Sequence, residues 1–153
     1  MKPYYRKATV KDAILVANNL REEDRIEMEG LGHIPIALPF LVQLSTTTVA
    51  FFDEDNAIGG VGGIMPDINK NVGQIWLICT PIITRKPHTF VRQAKRWLNE
   101  QQQYRLLWNI ADARNKFHHK LLKLLGFKAI KLIYPPPYSL PYYEIVKLCV
   151  QQQ

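Results

Sequence analysis

Cationic side chains gather in a short stretch of the second half of the chain, where they could bind phosphate. Arg85, Lys86, His88 and Arg92 lie in and just after the segment TPIITRKPHTF (80–90), between an apolar run and an amphipathic helical pattern. Charge-assisted hydrogen bonds and the N-terminal end of a helix both favour phosphate binding. The segment has no glycine, and Pro87 has no N–H to donate, so side chains would supply most of the contacts.

Side chains that could take part in proton transfer lie at three further places. Gln74 lies in an apolar run, where it can orient a water molecule but cannot accept a proton at neutral pH. Asp112 ends a later strand-like segment, and Tyr134 ends another. These three residues are the catalytic candidates, and each has an ordinary structural role as its alternative. Further substitute candidates for proton transfer, beside Asp112 and Tyr134, are Tyr138, Tyr142, Tyr143, His118 and His119.

The histidines and cysteines give no metal or disulfide signature. His118 and His119 are adjacent in a helical segment, so they point to different faces and make a poor bidentate metal site. We expect no metal, with one histidine partly buried and the other solvated. Cys79 and Cys149 lie in apolar runs, which indicates buried thiols in a reducing compartment rather than a disulfide framework. A nucleophilic Cys79 is the less favoured alternative to an inert buried thiol.

The charge of the chain is strongly uneven. The 153 residues carry a formal net charge of +7, yet residues 1–70 have 7 Lys and Arg against 10 Asp and Glu, whereas residues 71–153 have 13 against 3. The basic second half suggests an anionic partner, a phosphorylated cofactor or nucleic acid, with a solvated lysine-rich surface as the alternative. No recognition motif for nucleic acid is present, so any DNA binding should be non-specific and salt-dependent.

The sequence does not indicate export or membrane insertion. The first residues, MKPYYRKATVKDA, lack an apolar core of signal-peptide length. The apolar run IPIALPFLV (34–42) is short and contains two prolines, so it is not expected to span a bilayer. We therefore expect no membrane partner and a protein that is not secreted.

Hydrophobic periodicity and turn residues predict alternating strands and helices within one domain, residues 1–153. Thr9 and Asp12 form a capping-box pattern at the start of the first helix. The segment 31–46, with its two prolines, is predicted to be a loop. The predicted order is β-α-α-β-β-β-α-β-α-β-β, with strands at 4–8, 47–52, 57–65, 73–80, 105–111, 128–134 and 142–149.

The segment NKFHHKLLKLLGF (115–127) predicts a capped amphipathic helix. The side-chain oxygen of Asn115 can accept from the free N–H groups of the first turn. Phe117 and the leucines form an apolar stripe, and the lysines fall largely on the other face. Gly126 suits the left-handed residue that ends a helix, and Phe127 can fold back onto the stripe.

The element order and three short motifs resemble the GNAT superfamily of acyl-CoA-dependent N-acetyltransferases over nearly the whole chain. YYRKATVKDA resembles that family's first strand and helix, AIGGVGGI its third strand, and NIADARNKFHHKLLKLLGF its Asn-led helix that ends in Gly-Phe. The resemblance implies an α/β fold, a single-domain GNAT-like mixed sheet of six or seven strands flanked by about four helices. It also implies that strands 73–80 and 105–111 are parallel neighbours.

For function, the resemblance implies acetyl-CoA as the cofactor and an amine as the acceptor. The residues that would bind acetyl-CoA are Thr80, Arg85, Lys86, His88, Thr89, Arg92 and Asn115. The chain departs from the family at three functional positions. The phosphate turn lacks glycine, Leu122 stands where many members have a proton-donating tyrosine, and Gln74 stands where many have a glutamate base. The acidic segment 22–29, where members wall the acceptor site, would either attract a cationic amine or form a solvated helix face.

A narrower resemblance is to small GNAT-like proteins of T7-like podoviruses, which belong to the internal virion or head-assembly proteins of these bacteriophages. It rests on Gln74 and Trp76 in one strand, the Lys/Arg-rich helix that follows, and Leu-Trp-Asn at 107–109. With the three departures, it favours a virion-associated or head-assembly protein with a degenerate catalytic site and no cofactor, located in the host cytoplasm or the virion. Its partners would be other phage virion proteins, contacted through the segment 134–143. The alternative is an active acetyl-CoA-dependent N-acetyltransferase acting on an unidentified amine.

Overall fold

A seven-stranded mixed sheet forms the centre of the molecule, seen in a computed structural model that describes residues 1–149. Its order is β1-β2-β3-β4-β5-β7-β6, and all neighbours are antiparallel except β4 and β5. These two are parallel because the chain crosses back over the sheet through a helix. The strands are β1 (Tyr4–Arg6), β2 (Thr47–Phe52), β3 (Ile58–Pro66), β4 (Val72–Cys79), β5 (Leu106–Asp112), β6 (Lys128–Ile133) and β7 (Tyr142–Leu148).

Five α-helices cover the two faces of the sheet in residues 1–149. They are α1 (Val10–Ala17), α2 (Glu22–Glu29), α3 (Leu38–Leu44), α4 (Pro87–Asn99) and α5 (Lys116–Leu124), with short 3-10 turns at Pro35–Ala37 and Pro81–Thr84. Apolar side chains of α1, α2 and α3 pack with Trp76 and Ile78 of β4, whereas those of α4 and α5 pack with Leu77 and Cys79. Because successive strand side chains point to opposite faces, α1–α3 form one layer and α4–α5 the other. Over the same residues, no helix has the length and apolar character needed to cross a membrane.

The two central strands separate soon after they begin. β4 and β5 are paired only from Val72 with Leu106 to Gln74 with Trp108. Beyond that point β4 stays paired with β3, and β5 stays paired with β7. The separation leaves main-chain groups without a neighbouring strand in the middle of the sheet, at the carboxyl ends of two parallel strands, where α/β proteins commonly bind ligands.

The helix predicted from the segment 115–127 is confirmed. The Asn115 side chain accepts from the His118 N–H, as an N-cap residue should. Gly126 has a φ of +94°, in the left-handed region, and the Phe127 N–H donates to the Leu122 carbonyl at 2.9 Å. This termination brings Phe127 into the core, where it is buried.

The predicted fold is confirmed in its seven strands, in their order and in the parallel pairing of β4 with β5. The prediction of a loop at 31–46 is wrong, because this segment contains a 3-10 turn and α3. Pro35 and Pro39 lie in the first turns of these two elements. There a missing N–H costs nothing, so the two prolines help to start helical structure rather than prevent it.

Candidate functional site

A cleft opens where β4 and β5 separate. Its volume is about 640 Å³, and its walls come from β4, β5, α2, α3, α5 and the segment between β6 and β7. Trp76 and Leu77 both line it although they point to opposite faces, so the cleft reaches both layers of helices. Clefts of this size commonly hold small molecules or cofactors.

Helix α2 bridges the two separated strands with its side chains. The Asp24 carboxylate accepts from the main-chain N–H of Cys79 in β4 at 2.8 Å. The main-chain N–H of Arg21, the residue before α2, donates to the Cys79 carbonyl at 2.9 Å. One turn further along α2, the Glu27 carboxylate accepts from the Asp112 N–H of β5. Asp24 and Glu27 therefore accept from two main-chain N–H groups that have no neighbouring strand to bond to.

The Glu27 carboxylate also pairs with His118 of α5 in the wall of the cleft. Its Oε2 lies 3.0 Å from Nδ1 of His118, and the two side chains are only 9% and 14% exposed. Burial alone would lower the pKa of His118, but the adjacent Glu27 carboxylate outweighs burial and raises that pKa. The bond to Glu27 favours a proton on Nδ1 and leaves Nε2, which has no hydrogen bond within residues 1–149, as an acceptor.

The Arg21 side chain lies next to this pair, at the start of α5. Its Nη2 donates to the Asn115 Oδ1 at 3.0 Å and to the Asp24 Oδ1 at 3.3 Å, and its guanidinium lies 4.6 Å from the centre of the Phe117 ring. Burial raises the pKa of Asp24, with Arg21 and His118 opposing it. The Arg21 Nε is buried and has no hydrogen-bond partner in the described part of the chain. Asn115, a predicted cofactor residue, is thus engaged by Arg21 and by the helix it caps.

One main-chain segment of β4 faces the gap without such a partner among residues 1–149. Alternate residues of β4 direct their main-chain groups towards β5, and Ile75 and Cys79 belong to this set because Asn109, Asp24 and Arg21 bond to them. Leu77 lies between them and therefore directs its N–H and C=O into the gap, where it lines the cleft. These groups are available to an extended ligand.

The three catalytic candidates lie in different surroundings. Gln74 lines the cleft, and its Nε2 lies 3.4 Å from the Asn109 Oδ1. Asp112 is buried at the end of β5 and accepts from Arg114 at 2.8 Å. Burial alone would raise the pKa of Asp112, but the hydrogen bonds from Arg114 outweigh it and lower that pKa. Tyr134 is 60% exposed and lies outside the cleft wall. The structure therefore brings only Gln74 into the cleft.

Tyr142, His119 and Cys79 have structural roles. The Tyr142 hydroxyl is buried and donates to the Glu27 carbonyl at 2.6 Å, and burial raises its pKa. His119 Nε2 donates to the Asp112 carbonyl at 2.8 Å and packs edge-on against Tyr143, so the expectation of one solvated histidine is wrong. Cys79 is a free, buried thiol, which confirms its predicted burial, and this burial raises its pKa well above the ordinary value, as suits an inert thiol better than a nucleophile.

The predicted cofactor residues of the β4–α4 segment do not converge on the cleft. The Thr80 hydroxyl is buried and donates to the Ile58 carbonyl at 2.8 Å. Arg85, Lys86 and Thr89 line a separate cavity of about 250 Å³ beside the turn between β2 and β3. Lys86 is also ion-paired there with a turn carboxylate, Glu54.

The first turn of α4 nevertheless offers donors to an anion. The N–H groups of His88 and Thr89 have no hydrogen-bond partner among residues 1–149, and no side chain caps the helix. Arg85 and Arg92 are exposed beside them. Free N–H groups and cations at the start of a 13-residue helix suit a phosphate.

The acidic segment of α2 does not form an open acidic wall. Glu22 and Glu29 both pair with Arg25 on the exposed face of the helix. Asp24 and Glu27 point inwards to the bonds described above. The exposed residues therefore fit the interpretation as a solvated helix face. The other interpretation, attraction of a cationic amine, is not supported, because these four carboxylates all have partners.

Solved structures with a similar fold include acetyltransferases. An acetyltransferase of the GNAT family from Streptococcus pneumoniae aligns with 18% identity and a TM-score of 0.66, over 97% of this chain and 100% of that one. A GNAT-family acetyltransferase from Bacillus anthracis aligns with 12% identity and a TM-score of 0.72, over 97% and 95%. Spermidine N-acetyltransferase from Vibrio cholerae, solved in complex with CoA and spermine, aligns with 10% identity and a TM-score of 0.70, over 96% and 95%.

These likenesses establish that the chain has the GNAT fold, as the sequence resemblance implied. At such low sequence identities, these structures show only that the fold is shared. No protein-family model matches the chain, and no curated protein matches its sequence. The narrower resemblance to phage virion proteins gains no support from the compared structures.

Proposed function

We propose that the protein is an acyl-CoA-dependent N-acyltransferase that acts on an amine. The observation that carries the proposal is the Glu27–His118 pair in the wall of the cleft between β4 and β5. An imidazole held by a carboxylate is a suitable general base, and an amine acceptor needs one because its ammonium form is not nucleophilic. The fold supports the proposal, since the compared structures are acetyltransferases and one of them holds CoA.

Residues at two separate places, the first turn of α4 and the cleft itself, could hold acyl-CoA. Its phosphates would be held by the N–H groups of His88 and Thr89 and by the side chains of Arg85 and Arg92. The Leu77 N–H can donate to the carbonyl oxygen of a thioester in the gap between the strands. When bound, acyl-CoA supplies an activated acyl group that an amine can accept.

The chain's own residues then move protons and stabilise charge. Nε2 of His118 takes a proton from the ammonium group, and the Glu27 carboxylate stabilises the imidazolium through Nδ1. The Leu77 N–H stabilises the negative charge that develops on the carbonyl oxygen. The amine nitrogen releases its second proton to solvent, and His118 returns the first to the departing thiolate. These proton transfers need no tyrosine at position 122, where the chain has a leucine.

A virion or head-assembly role is a second proposal, supported by the three departures from the acetyltransferase pattern. Leu122 is buried and has no proton to donate, Gln74 is not a base, and the turn before α4 has no glycine. The partners would then be other phage virion proteins, and the exposed Tyr134 and Tyr138 would contact them. Non-specific DNA binding by the basic second half is a further prediction. The compared structures favour the enzyme over these alternatives.

Turnover distinguishes the first two proposals. We would measure release of the CoA thiol from acetyl-CoA and hexanoyl-CoA with a panel of amines that includes spermidine, the acceptor named for the Vibrio cholerae enzyme. His118→Ala should lower kcat by about 10²–10⁴-fold, the usual contribution of a general base. The control is His119→Ala, which changes the next residue, outside the cleft wall.

Equal loss of turnover in both histidine variants would contradict the role of His118. Absence of turnover with every donor and amine, together with detection of the protein in purified phage particles by mass spectrometry, would favour the virion role.

A further inference from the structure

The wall of the cleft is apolar almost throughout. Seventeen of its 22 lining residues are apolar, and the other five are Glu27, His33, Gln74, Asn109 and His118. A ligand in the cleft therefore meets mainly aliphatic and aromatic carbon, which favours groups without charge.

The charged and amide groups of the wall are already committed to one another. Glu27 accepts from the Asp112 N–H and pairs with His118, while Gln74 lies against Asn109. Within residues 1–149, Glu27 is the one carboxylate in this wall, and both of its oxygens already have partners. A second ammonium group, besides the one that meets His118, would be buried there without a carboxylate and would be strongly disfavoured.

The mouth of the cleft is apolar as well. Phe40 of α3 lines the cleft although the residue is 64% exposed. Ile36, in the turn before α3, is also exposed, and Pro135 and Pro136 line the cleft from the segment between β6 and β7. A chain of several carbons that enters the cleft would cover exposed apolar surface on its way to the Glu27–His118 pair.

We infer that the cleft selects a substrate with an uncharged apolar group of several carbons, carried either by the acyl donor or by the amine. The inference rests on the proposed function and names its class of substrate. The preferred substrates therefore do not include diamines or polyamines, because these would bring a second ammonium group into the apolar wall. Each methylene that the wall covers should strengthen binding by up to about fourfold.

Matched ligands test the inference and separate the two sources of the apolar group. Hexylamine and 1,6-diaminohexane have the same chain and differ by one terminal ammonium, and acetyl-CoA and hexanoyl-CoA differ only in the length of the acyl group. Calorimetric titration measures binding of each ligand alone, and thiol release measures turnover. If the amine carries the group, hexylamine should bind about tenfold or more tightly than the diamine. If the donor carries it, hexanoyl-CoA should bind more tightly than acetyl-CoA.

Two variants of α3 connect the preference to this cleft. Phe40→Glu places a carboxylate at the mouth and should weaken binding of the preferred hexyl ligand and reduce discrimination against the diamine. Leu44→Glu makes a similar change on the same helix, at a residue that is 61% exposed and outside the cleft wall, and should leave both the binding and the discrimination unchanged. Because both positions are exposed, neither variant should prevent folding.

Preference for the diamine, unchanged selectivity in Phe40→Glu, or failure of both hexyl ligands to bind would overturn the inference. Turnover that favours the diamine would do so while leaving the proposed function in place. If the hexyl preference appears in the titrations without any turnover, the binding class stands and the proposed reaction is refuted.

Discussion

Replacing Glu27 by glutamine tests the proton-transfer role through the pH dependence of the reaction. Burial lowers the pKa of His118, and the Glu27 carboxylate is the main group that outweighs burial. Glu27→Gln removes this negative charge, so the pKa of His118 should fall below its value in the unmodified protein. His118 acts as a base only when neutral, and the rise of kcat/KM with pH should therefore move to lower pH in the variant.

The same substitution should slow the reaction even where His118 is neutral in both proteins. In the unmodified protein the imidazolium that forms during proton transfer donates to a carboxylate, and in the variant it meets a neutral amide. A charge-assisted hydrogen bond contributes about 1.5–3 kcal/mol, which corresponds to a fall in kcat of about 10- to 150-fold. Thiol release under saturating substrate, recorded across a pH series, measures both effects.

The Glu27–His118 pair should also make stability depend on pH. The pKa of His118 is raised in the folded state, so the stabilisation is complete below its unfolded pKa of about 6.5 and is lost as pH rises through the folded pKa. Glu27→Gln should therefore lower the free energy of unfolding most on the acidic side of about pH 6.5, by about 1.5–3 kcal/mol. Urea unfolding at several pH values measures this difference.

Glu22→Gln provides the matched control on the same helix. The Glu22 carboxylate is exposed and pairs with Arg25, away from the cleft, so its replacement should change neither the pH profile nor the pH dependence of stability. An unshifted kcat/KM profile in a folded Glu27→Gln protein would refute the assignment of His118 as the base.

Three further substitutions test the packing that holds the site. Asp12→Asn should destabilise the protein near neutral pH, and urea unfolding can measure the loss. Burial opposes ionisation of Asp12, but hydrogen bonds from Arg6 outweigh it and lower the Asp12 pKa. The stabilisation is therefore present above the unfolded pKa and is lost as pH falls through the folded pKa. Leu122→Ala should lower the free energy of unfolding by about 2–5 kcal/mol through a core cavity, whereas Leu124→Ala, at an exposed side chain of the same helix, should cost much less by the same assay. Gly126→Ala should cost about 1–2 kcal/mol in thermal unfolding, because its φ of +94° disfavours a Cβ.

Local signals explain how far the fold could be predicted from the sequence. The cap at Asn115 and the stop at Gly126 act within one or two helical turns, so the residues themselves specify them. The same is true of the capping box at Thr9 and Asp12, which the structure contains. The loop prediction at 31–46 is wrong because proline disfavours only the interior of a helix, while Pro39 lies at a helix start, where it is tolerated.

The site could be predicted less well, because it depends on contacts between distant parts of the chain. Glu27 and His118 are 91 residues apart, and no spacing rule connects them. The sequence makes His118 only a substitute candidate and places Glu27 only in an acidic helix face. In the same way, residue type indicates that Arg85 can bind phosphate but does not show that Arg85 lines a cavity separate from the cleft.

The bridge that α2 makes between β4 and β5 also has a consequence for the protein's internal motions. The Cys79 and Asp112 amides lie at strand edges without a neighbouring strand, yet each donates to a carboxylate of the same helix. In hydrogen–deuterium exchange both should be protected as if they were paired in the sheet, and both should lose that protection together when α2 detaches. Their shared exchange rate would then report how often the gap between the two strands opens along its full length.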